Sequence, residues 1–366
     1  MCVLRFLMAF LFLLVLREIA VADDRPDGRV YVQAKCNGHS DDTDEFRKAI
    51  EIAGKSAGVV FVPPGRCVIS DTLVVTGDKP VSIIGVGRSS QVYMRENKTL
   101  IHYTGVNAIS VRDLYLGSSA TAPGTSLLKL TNSHHNRIDN VTMLGSNIGL
   151  HFEGSLLNTI VDLRSGTNFQ GFFAPTSVNV QWVLAERFNN VSANANTFVA
   201  PVLEGGTNGV VIRDPPGPSC LGCIRNGEGS VQITGGSIEG VAQTALHLDR
   251  TFLPTSVTGV HFEANGVDVL ISDSANIRLT AVLSVDAPAT NGKRGILISG
   301  TNNGQFTRNI QVSDSIAQEI FIDTNVRRVQ LQNITTDLNC TSVSGIFPPT
   351  PADPSIIYTN VGLNCT

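Results

Sequence analysis

The sequence is poor in aromatic and in charged side chains. Tryptophan occurs once and tyrosine five times in 366 residues, and only 16% of residues are charged. This composition suits many short strands and tight turns better than a helical protein, and the 34 glycines agree with it. The formal net charge of −4 gives no support for a nucleic-acid partner.

Long apolar runs are absent after the first 22 residues. Arg5 precedes the apolar run Phe6–Leu16, and Ala20-Val21-Ala22 matches an A-x-A cleavage site. Because the run is too short to span a membrane, residues 1–22 are predicted to be a signal peptide and residues 23–366 the mature domain. We therefore expect a secreted, extracellular, soluble protein with no membrane partner after removal of the signal.

Cysteine usage agrees with an oxidising compartment, because removal of Cys2 with the signal leaves an even number. Fifteen pairings of six cysteines are open from sequence alone. The simplest scheme joins sequence neighbours: Cys36–Cys67, Cys220–Cys223 and Cys340–Cys365. Cys220-Leu-Gly-Cys223 lies among Pro and Gly residues with no following helix to lower a thiol pKa, so a structural disulfide is favoured over a redox site. No metal site is predicted, since further ligands at zinc spacing are missing nearby.

Asn-x-Ser/Thr sequons are frequent in the mature sequence, and they predict a glycoprotein if the host is a eukaryote. In a bacterium the same residues would serve only as turn residues. The sequons are at Asn97, Asn140, Asn190, Asn333, Asn339 and Asn364.

A helix pattern near residues 43–54 opens the folded part of the chain. Asp42, three positions before Glu45, is a helix-start signature in which the carboxylate caps free backbone N–H groups. Phe46 and Ile50 follow at helical spacing and give the helix an apolar face. Short β-rich runs separated by turn signals come next: VVFV, CVIS, LVV and VSII.

Residues 36–87 resemble the N-terminal cap of the pectate-lyase-like superfamily of right-handed parallel β-helices. Its members typically read Asp-Gly-x-x-Asp-Asp-Thr-x-Ala-x-x-x-Ala-Ile, then an apolar strand, then Pro-Pro-Gly-x-Tyr. The matching residues are Asn37-Gly38, Asp41-Asp42-Thr43, Phe46, Ala49-Ile50 and Pro63-Pro64-Gly65. The resemblance implies a helix that covers the open end of a coil. Polygalacturonases, pectate lyases, epimerases and phage tailspikes share this cap, so it implies no single activity.

Short strands recur along the rest of the chain. Four such runs begin at residues 245, 269, 296 and 320, and each is followed by a polar turn and another strand. Self-similarity at this period predicts a solenoid whose turns, here called rungs, bury their inner faces by stacking on one another. The predicted fold is all-β, a single-stranded right-handed parallel β-helix solenoid with an N-terminal capping helix. Residues 201–230, rich in Gly and Pro, are predicted to be an inserted loop beside a binding face.

Two glutamates are the predicted catalytic pair. Aligning GSIEG with GVHFEANG stacks Glu239 on Glu263 in one column of successive rungs, about 4.8 Å apart. Glu263, which has His261 two residues earlier on its own face, is the predicted acid, and Glu239 is the base or nucleophile. In earlier rungs the alignment adds Leu144, Arg164 and Asn194 to this column.

A second acidic column is predicted at the ends of the first strands, with Glu153, Asp249 and Asp273. Asp249 is the reserve catalytic candidate, because it lies between the two glutamates in sequence. Like charges at this spacing raise one another's pKa, which is how one acid stays protonated beside an ionised partner.

The resemblance, the signal peptide and the stacked carboxylates together predict an enzyme that cleaves a polysaccharide by hydrolysis or β-elimination. The Asn-Thr-Asp, Gly-His-Gly and Arg-Ile-Lys blocks of polygalacturonases are missing, and aromatic platforms for sugars are few. A non-catalytic glycan-binding or structural β-helix, or an isomerase or cyclase with a small-molecule substrate, therefore stay open. No cofactor is predicted, except calcium in the case of a lyase, and no pattern indicates an oligomeric state.

Overall fold

The computed structural model describes most of residues 29–363. The described residues are 29–118, 122, 124–146, 148–153, 155, 157–165, 179–183, 196–199, 202–204, 210–213, 231–249, 251, 254–285, 294–300, 307–317, 319–323, 325–336, 346–347 and 356–363. No helix among them is long and apolar enough to cross a membrane.

The described residues form one helix, α1 (Thr43–Ser56), and a long series of short strands. The strands are β1 (Arg29–Tyr31), β2 (Asn37–Asp41), β3 (Val59–Phe61), β4 (Gly65–Ile69), β5 (Leu73–Thr76), β6 (Ser82–Ile84), β7 (Ser90–Met94), β8 (Ile101–Thr104), β9 (Ser110–Ser118), β10 (Ser126–Thr131), β11 (Arg137–Leu144), β12 (Ile148–Glu153), β13 (Thr159–Ser165), β14 (Asn179–Val183), β15 (Asn196–Val199), β16 (Val202–Glu204), β17 (Val210–Arg213), β18 (Val231–Thr234), β19 (Ser237–Glu239), β20 (Thr244–Asp249), β21 (Thr255–Thr258), β22 (His261–Glu263), β23 (Val267–Ser272), β24 (Ala275–Thr280), β25 (Leu283–Val285), β26 (Arg294–Ser299), β27 (Thr307–Ala317), β28 (Ile320–Ile322), β29 (Val326–Thr336), β30 (Ile346–Phe347) and β31 (Ile356–Leu363).

The strands build a right-handed parallel β-helix, as predicted. One sheet has eleven described strands in the order β30-β28-β26-β23-β20-β17-β14-β12-β10-β8-β5, and the other has twenty. A typical rung gives one strand to the eleven-stranded sheet and then two strands to the other, as β20, β21 and β22 do. The repeat read from the sequence is confirmed, because β20, β23, β26 and β28 are consecutive neighbours in the eleven-stranded sheet.

Alternation of side chains places the core inside the coil. In β20 the residues Ala245, Leu246 and Leu248 are fully buried, whereas His247 and Asp249 point outward and are half-buried. The same inward apolar column continues into the next two rungs of this sheet, as Leu246, Val269 and Ile296 show. The inner face is thus fixed by packing, and the outer face is left for polar side chains.

Helix α1 covers the N-terminal end of the coil, and its buried face includes Phe46, Ala49, Ile50 and Ala53. The predicted cap by the Asp42 carboxylate is wrong, because that side chain makes no capping hydrogen bond to the helix. Buried Asp42 instead accepts hydrogen bonds from the backbone N–H groups of Lys35 and Val68, at 3.0 and 3.2 Å. The carboxylate therefore ties the start of the helix to the first rungs.

Asparagine has two different roles at the turns. Asn276 has a φ of 60°, the left-handed conformation expected of a turn residue. Asn136 and Asn158 are buried, and Asn136 Nδ2 donates to Asn158 Oδ1 at 2.8 Å. Asn136 Oδ1 also accepts from the Ile109 N–H at 3.1 Å, so the two amides satisfy the buried backbone of successive rungs.

The disulfide Cys36–Cys67 forms as predicted and joins the chain before α1 to β4. The other two predicted pairs, Cys220–Cys223 and Cys340–Cys365, lie outside the described residues. Both bonded cysteines are buried in the first rungs against the cap. Loss of this disulfide therefore frees the end of the coil that α1 must cover.

The double variant Cys36→Ser/Cys67→Ser is expected to lower the free energy of unfolding by about 2–5 kcal/mol, because a cross-link over this loop restricts the unfolded chain. Urea denaturation followed by circular dichroism measures the change. Replacing both residues avoids a lone reactive thiol. An unchanged midpoint would show that α1 and β4 hold the cap without the bond.

Candidate active site

The predicted glutamate pair lies on neighbouring strands in perfect register. β19 and β22 are parallel partners, and their Cα pairs are Ser237 with His261, and Glu239 with Glu263. Fully buried Phe262, between His261 and Glu263, points into the core. Since neighbouring residues of a strand point to opposite faces, both glutamates and His261 point out of the coil on one face.

His261 lies between the two carboxylates. Its Nδ1 is 3.9 Å from Glu239 Oε1, and its Nε2 is 3.6 Å from Glu263 Oε2. Both separations exceed hydrogen-bond length, and Nε2 is buried without a hydrogen-bond partner. The three side chains are 34–40% exposed, so a ligand can reach them from solvent.

The three side chains can do two kinds of chemistry. One donor atom from each lies within 4.8 Å of the others, so the carboxylates are much closer than the ~6.5–9.5 Å that an inverting glycosidase needs for its water. The spacing is near the ~5–5.5 Å of a nucleophile and an acid in retaining enzymes. One imidazole with two carboxylates is also a donor set for a divalent cation.

Asp249 is not brought to this pair. It ends β20 in the eleven-stranded sheet, where its Cα partners are Arg213 and Ser272. Its carboxylate accepts from Ser272 Oγ at 3.2 Å. Each glutamate ends a strand shortly before the chain enters the eleven-stranded sheet. Asp249 is the last residue of β20, five residue steps of about 3.3 Å beyond the first residue of that strand. A catalytic role for Asp249 alongside the pair stays a prediction without geometric support.

The second acidic column is shifted by one residue from the sequence alignment. Ser272, rather than Asp273, pairs with Asp249. Asp273 is the next residue and has a φ of 47°, so it belongs to the turn after the strand. The predicted stacking of Asp249 on Asp273 is therefore wrong, because strand ends and turn starts cannot be told apart by polarity alone.

A third acidic residue extends the glutamate column, and the sequence alignment did not find it. The Cα of Glu204, in β16, pairs with that of Glu239. Arg164, which the alignment placed in this column, pairs with Val202 and so belongs to the neighbouring column of Ser237 and His261. Asn194 lies outside the described residues, and Leu144 is buried, so it does not extend the outward acidic face.

The eleven-stranded sheet carries a cluster of titratable side chains that no sequence pattern predicted. In three neighbouring strands, Lys129 of β10 pairs with His102 of β8 on one side and with His151 of β12 on the other. The Lys129 ammonium contacts Glu153 Oε2 at 2.8 Å. Thr131 Oγ1 donates to the same oxygen at 3.2 Å and lies 3.0 Å from His102 Nε2. Because the Thr131 proton goes to Glu153, His102 Nε2 must be the donor to Thr131.

The pKa values in this cluster are shifted by burial and by Lys129. Burial lowers the pKa of His102 and of His151, and the Lys129 charge lowers both further. A hydrogen bond from Lys129 lowers the pKa of Glu153. At neutral pH both imidazoles are therefore uncharged and Glu153 is ionised.

No family model matches the chain, and no curated protein matches it. Solved structures with the same fold exist. The A-module of mannuronan C-5 epimerase AlgE4 from Azotobacter vinelandii is 14% identical with a TM-score of 0.55, over 92% of this chain and 97% of that one. The AlgE6 A-module from the same organism is 12% identical with a TM-score of 0.53, over 92% and 98%. The Dettilon tailspike protein gp208 is 12% identical with a TM-score of 0.53, over 91% and 68%. These likenesses show the fold implied by the cap resemblance.

Proposed function

We propose that this right-handed β-helix is a secreted carbohydrate-active enzyme that hydrolyses a polysaccharide with retention of anomeric configuration. The observation that carries the proposal is the Glu239–His261–Glu263 cluster, whose carboxylates approach within 4.8 Å on an open face. The mannuronan epimerase with the same fold acts on a polysaccharide by its name, which supports the substrate class. Secretion rests on residues 1–22 and stays a prediction.

The roles of the two carboxylic acids follow from their surroundings. Glu263 protonates the leaving-group oxygen, and the Glu239 carboxylate attacks the anomeric carbon as the glycosidic bond breaks. Water then attacks the glycosyl ester while the Glu263 carboxylate takes its proton, which restores both groups. His261 lies between the two carboxylates, with ring nitrogens 3.9 Å from Glu239 and 3.6 Å from Glu263.

The shape of the surface suits a polymer. Outward side chains of successive rungs follow one another at about 4.8 Å, so the face that bears Glu239 and Glu263 runs along the coil. A polysaccharide lying along this face would meet one new rung at each step. The predicted inserted loop at 201–230 is wrong for 202–204 and 210–213, which are strands β16 and β17 of the coil, and the rest of it lies outside the described residues.

A glycan panel tests the proposal. The secreted protein is incubated with acidic and neutral polysaccharides, and both new reducing ends and the absorbance of unsaturated products are measured. We expect reducing ends without unsaturation, and proton NMR of the first product should show the configuration of the substrate. Unsaturated products would mean β-elimination, for which calcium dependence must then be measured. No detectable product from any glycan would favour a non-catalytic module or an enzyme with a small-molecule substrate.

A further inference from the structure

We propose that the outward face of β8, β10 and β12 is a second ligand site, which binds an anionic group of a carbohydrate polymer and binds it more tightly at acidic pH. The site is separate from the glutamate pair, because it lies on the eleven-stranded sheet. It does not depend on the cleavage chemistry proposed above. The anionic group is a carboxylate or a sulfate, which share the oxygen acceptors that ammonium and imidazolium groups bind.

The geometry places three nitrogen-bearing side chains in one column. His102, Lys129 and His151 occupy paired positions on three adjacent strands, about 4.8 Å from one to the next. Lys129 is 24% exposed, and its contact with Glu153 lies at one side of the column. An ammonium has three N–H donors and Glu153 Oε2 accepts one, so donors remain for an anion.

The charges that face the column explain the pH dependence. Lys129 and Glu153 cancel at neutral pH, and both imidazoles are uncharged because their pKa values are lowered. The remaining described contacts are hydroxyls: Thr104 and Thr131 at His102, and Ser126 at His151.

Acidification adds only positive charge to the column. Protonation of both histidines makes the sum of His102, Lys129, His151 and Glu153 +2, since the lowered pKa of Glu153 keeps that carboxylate ionised in mild acid. Three cations in adjacent positions repel one another, and a bound anion relieves the repulsion. Binding and protonation therefore favour each other.

An open groove next to the column gives a polymer room to continue. The groove has a volume of about 530 Å³ and lies between α1 and β5, with Val74 and Thr76 on its floor. These residues are the strand partners of His102 and Thr104, so the groove begins one strand away from the column. Arg47 and Lys55 line its helix side, although Asp71 and Glu51 pair with them.

Polymer binding at two pH values tests the site. Dextran sulfate, polymannuronate and uncharged dextran are titrated into the full mature protein at pH 7.5 and pH 5.0 at constant ionic strength. We expect at least one charged polymer to bind about tenfold more tightly at pH 5.0, which corresponds to a change of ~1.4 kcal/mol in binding free energy. The two charged polymers tell a sulfate from a carboxylate preference. Equal binding of uncharged dextran, absence of binding, or binding that does not change with pH would overturn the proposal.

Variants distinguish the column from the general charge of the protein. His102→Gln/His151→Gln keeps hydrogen-bonding side chains that cannot be protonated, so the pH effect should shrink below about twofold. Lys129→Met should weaken binding at both pH values, and Lys129→Arg should restore it. His39→Gln, at an exposed position near the cap, removes a histidine elsewhere and should keep the tenfold effect. A double variant that keeps the full pH effect would refute the site, even if hydrolysis is found.

Discussion

Glu239→Gln and Glu263→Gln are each expected to lower turnover on the polysaccharide by at least ~100-fold while leaving the melting temperature nearly unchanged. Each amide keeps the shape of the side chain but cannot act as nucleophile or acid, a loss of at least ~2.7 kcal/mol of transition-state stabilisation. Both side chains are over a third exposed, so their substitution costs little stability.

The two variants should differ in how they fail. Glu263→Gln retains the nucleophile, so substrates with a good leaving group that needs no protonation should regain much of the lost rate. Glu239→Gln should not regain it, because the attacking carboxylate is gone. Glu96→Gln, at an exposed turn position away from both proposed sites, is the matched control and should keep full activity. Full activity of both active-site variants would move catalysis to another part of the chain.

Phe262→Ala is expected to lower the free energy of unfolding by about 3–5 kcal/mol, although Glu263→Gln at the next residue is nearly neutral for stability. Phe262 is fully buried, and its Cα partners on the two neighbouring rungs are Ile238 and Ser284. Truncation removes a large apolar group and leaves a cavity that neighbouring rungs fill only partly.

Urea denaturation of Phe262→Ala and Glu263→Gln measures the contrast within one strand. The urea midpoint of Phe262→Leu should lie between those of Phe262→Ala and the wild type, because leucine keeps most of the side-chain volume. Near-equal midpoints for Phe262→Ala and wild type would mean that this rung contributes no core. Lost activity in Phe262→Ala is also expected, since β22 holds His261 and Glu263 in place.

The fold could be predicted from the sequence because the main signals for it are local. The helix start near Asp42, the apolar face of α1 and the β-rich runs all lie within a few residues of one another. Stacking of Glu239 on Glu263 was also predictable, since their two rungs have similar lengths and each glutamate ends a strand of three residues. The hydrogen bond that Asp42 accepts from the Val68 N–H was not predictable, because Val68 lies on another rung.

Register failed where rung length changes. Arg164 pairs with Val202, 38 positions later, whereas Glu239 pairs with Glu263 only 24 positions later, so the repeat gives no constant spacing across residues 164–202. The alignment misplaced Asp273 by one residue and Arg164 by two. The His102, Lys129, His151 and Glu153 cluster was missed for a related reason: its first two members are separated by 27 positions and the next two by 22.

Coverage of the coil by α1 has a consequence for assembly. The helix contacts β1, β3 and β5, which include the first strand of the eleven-stranded sheet. An uncovered first rung would present unpaired N–H and C=O groups at the same spacing as the last rung of another molecule. Head-to-tail pairing of that kind does not close on itself, so it would extend into filaments. The helix thus blocks head-to-tail stacking of a second coil at this end.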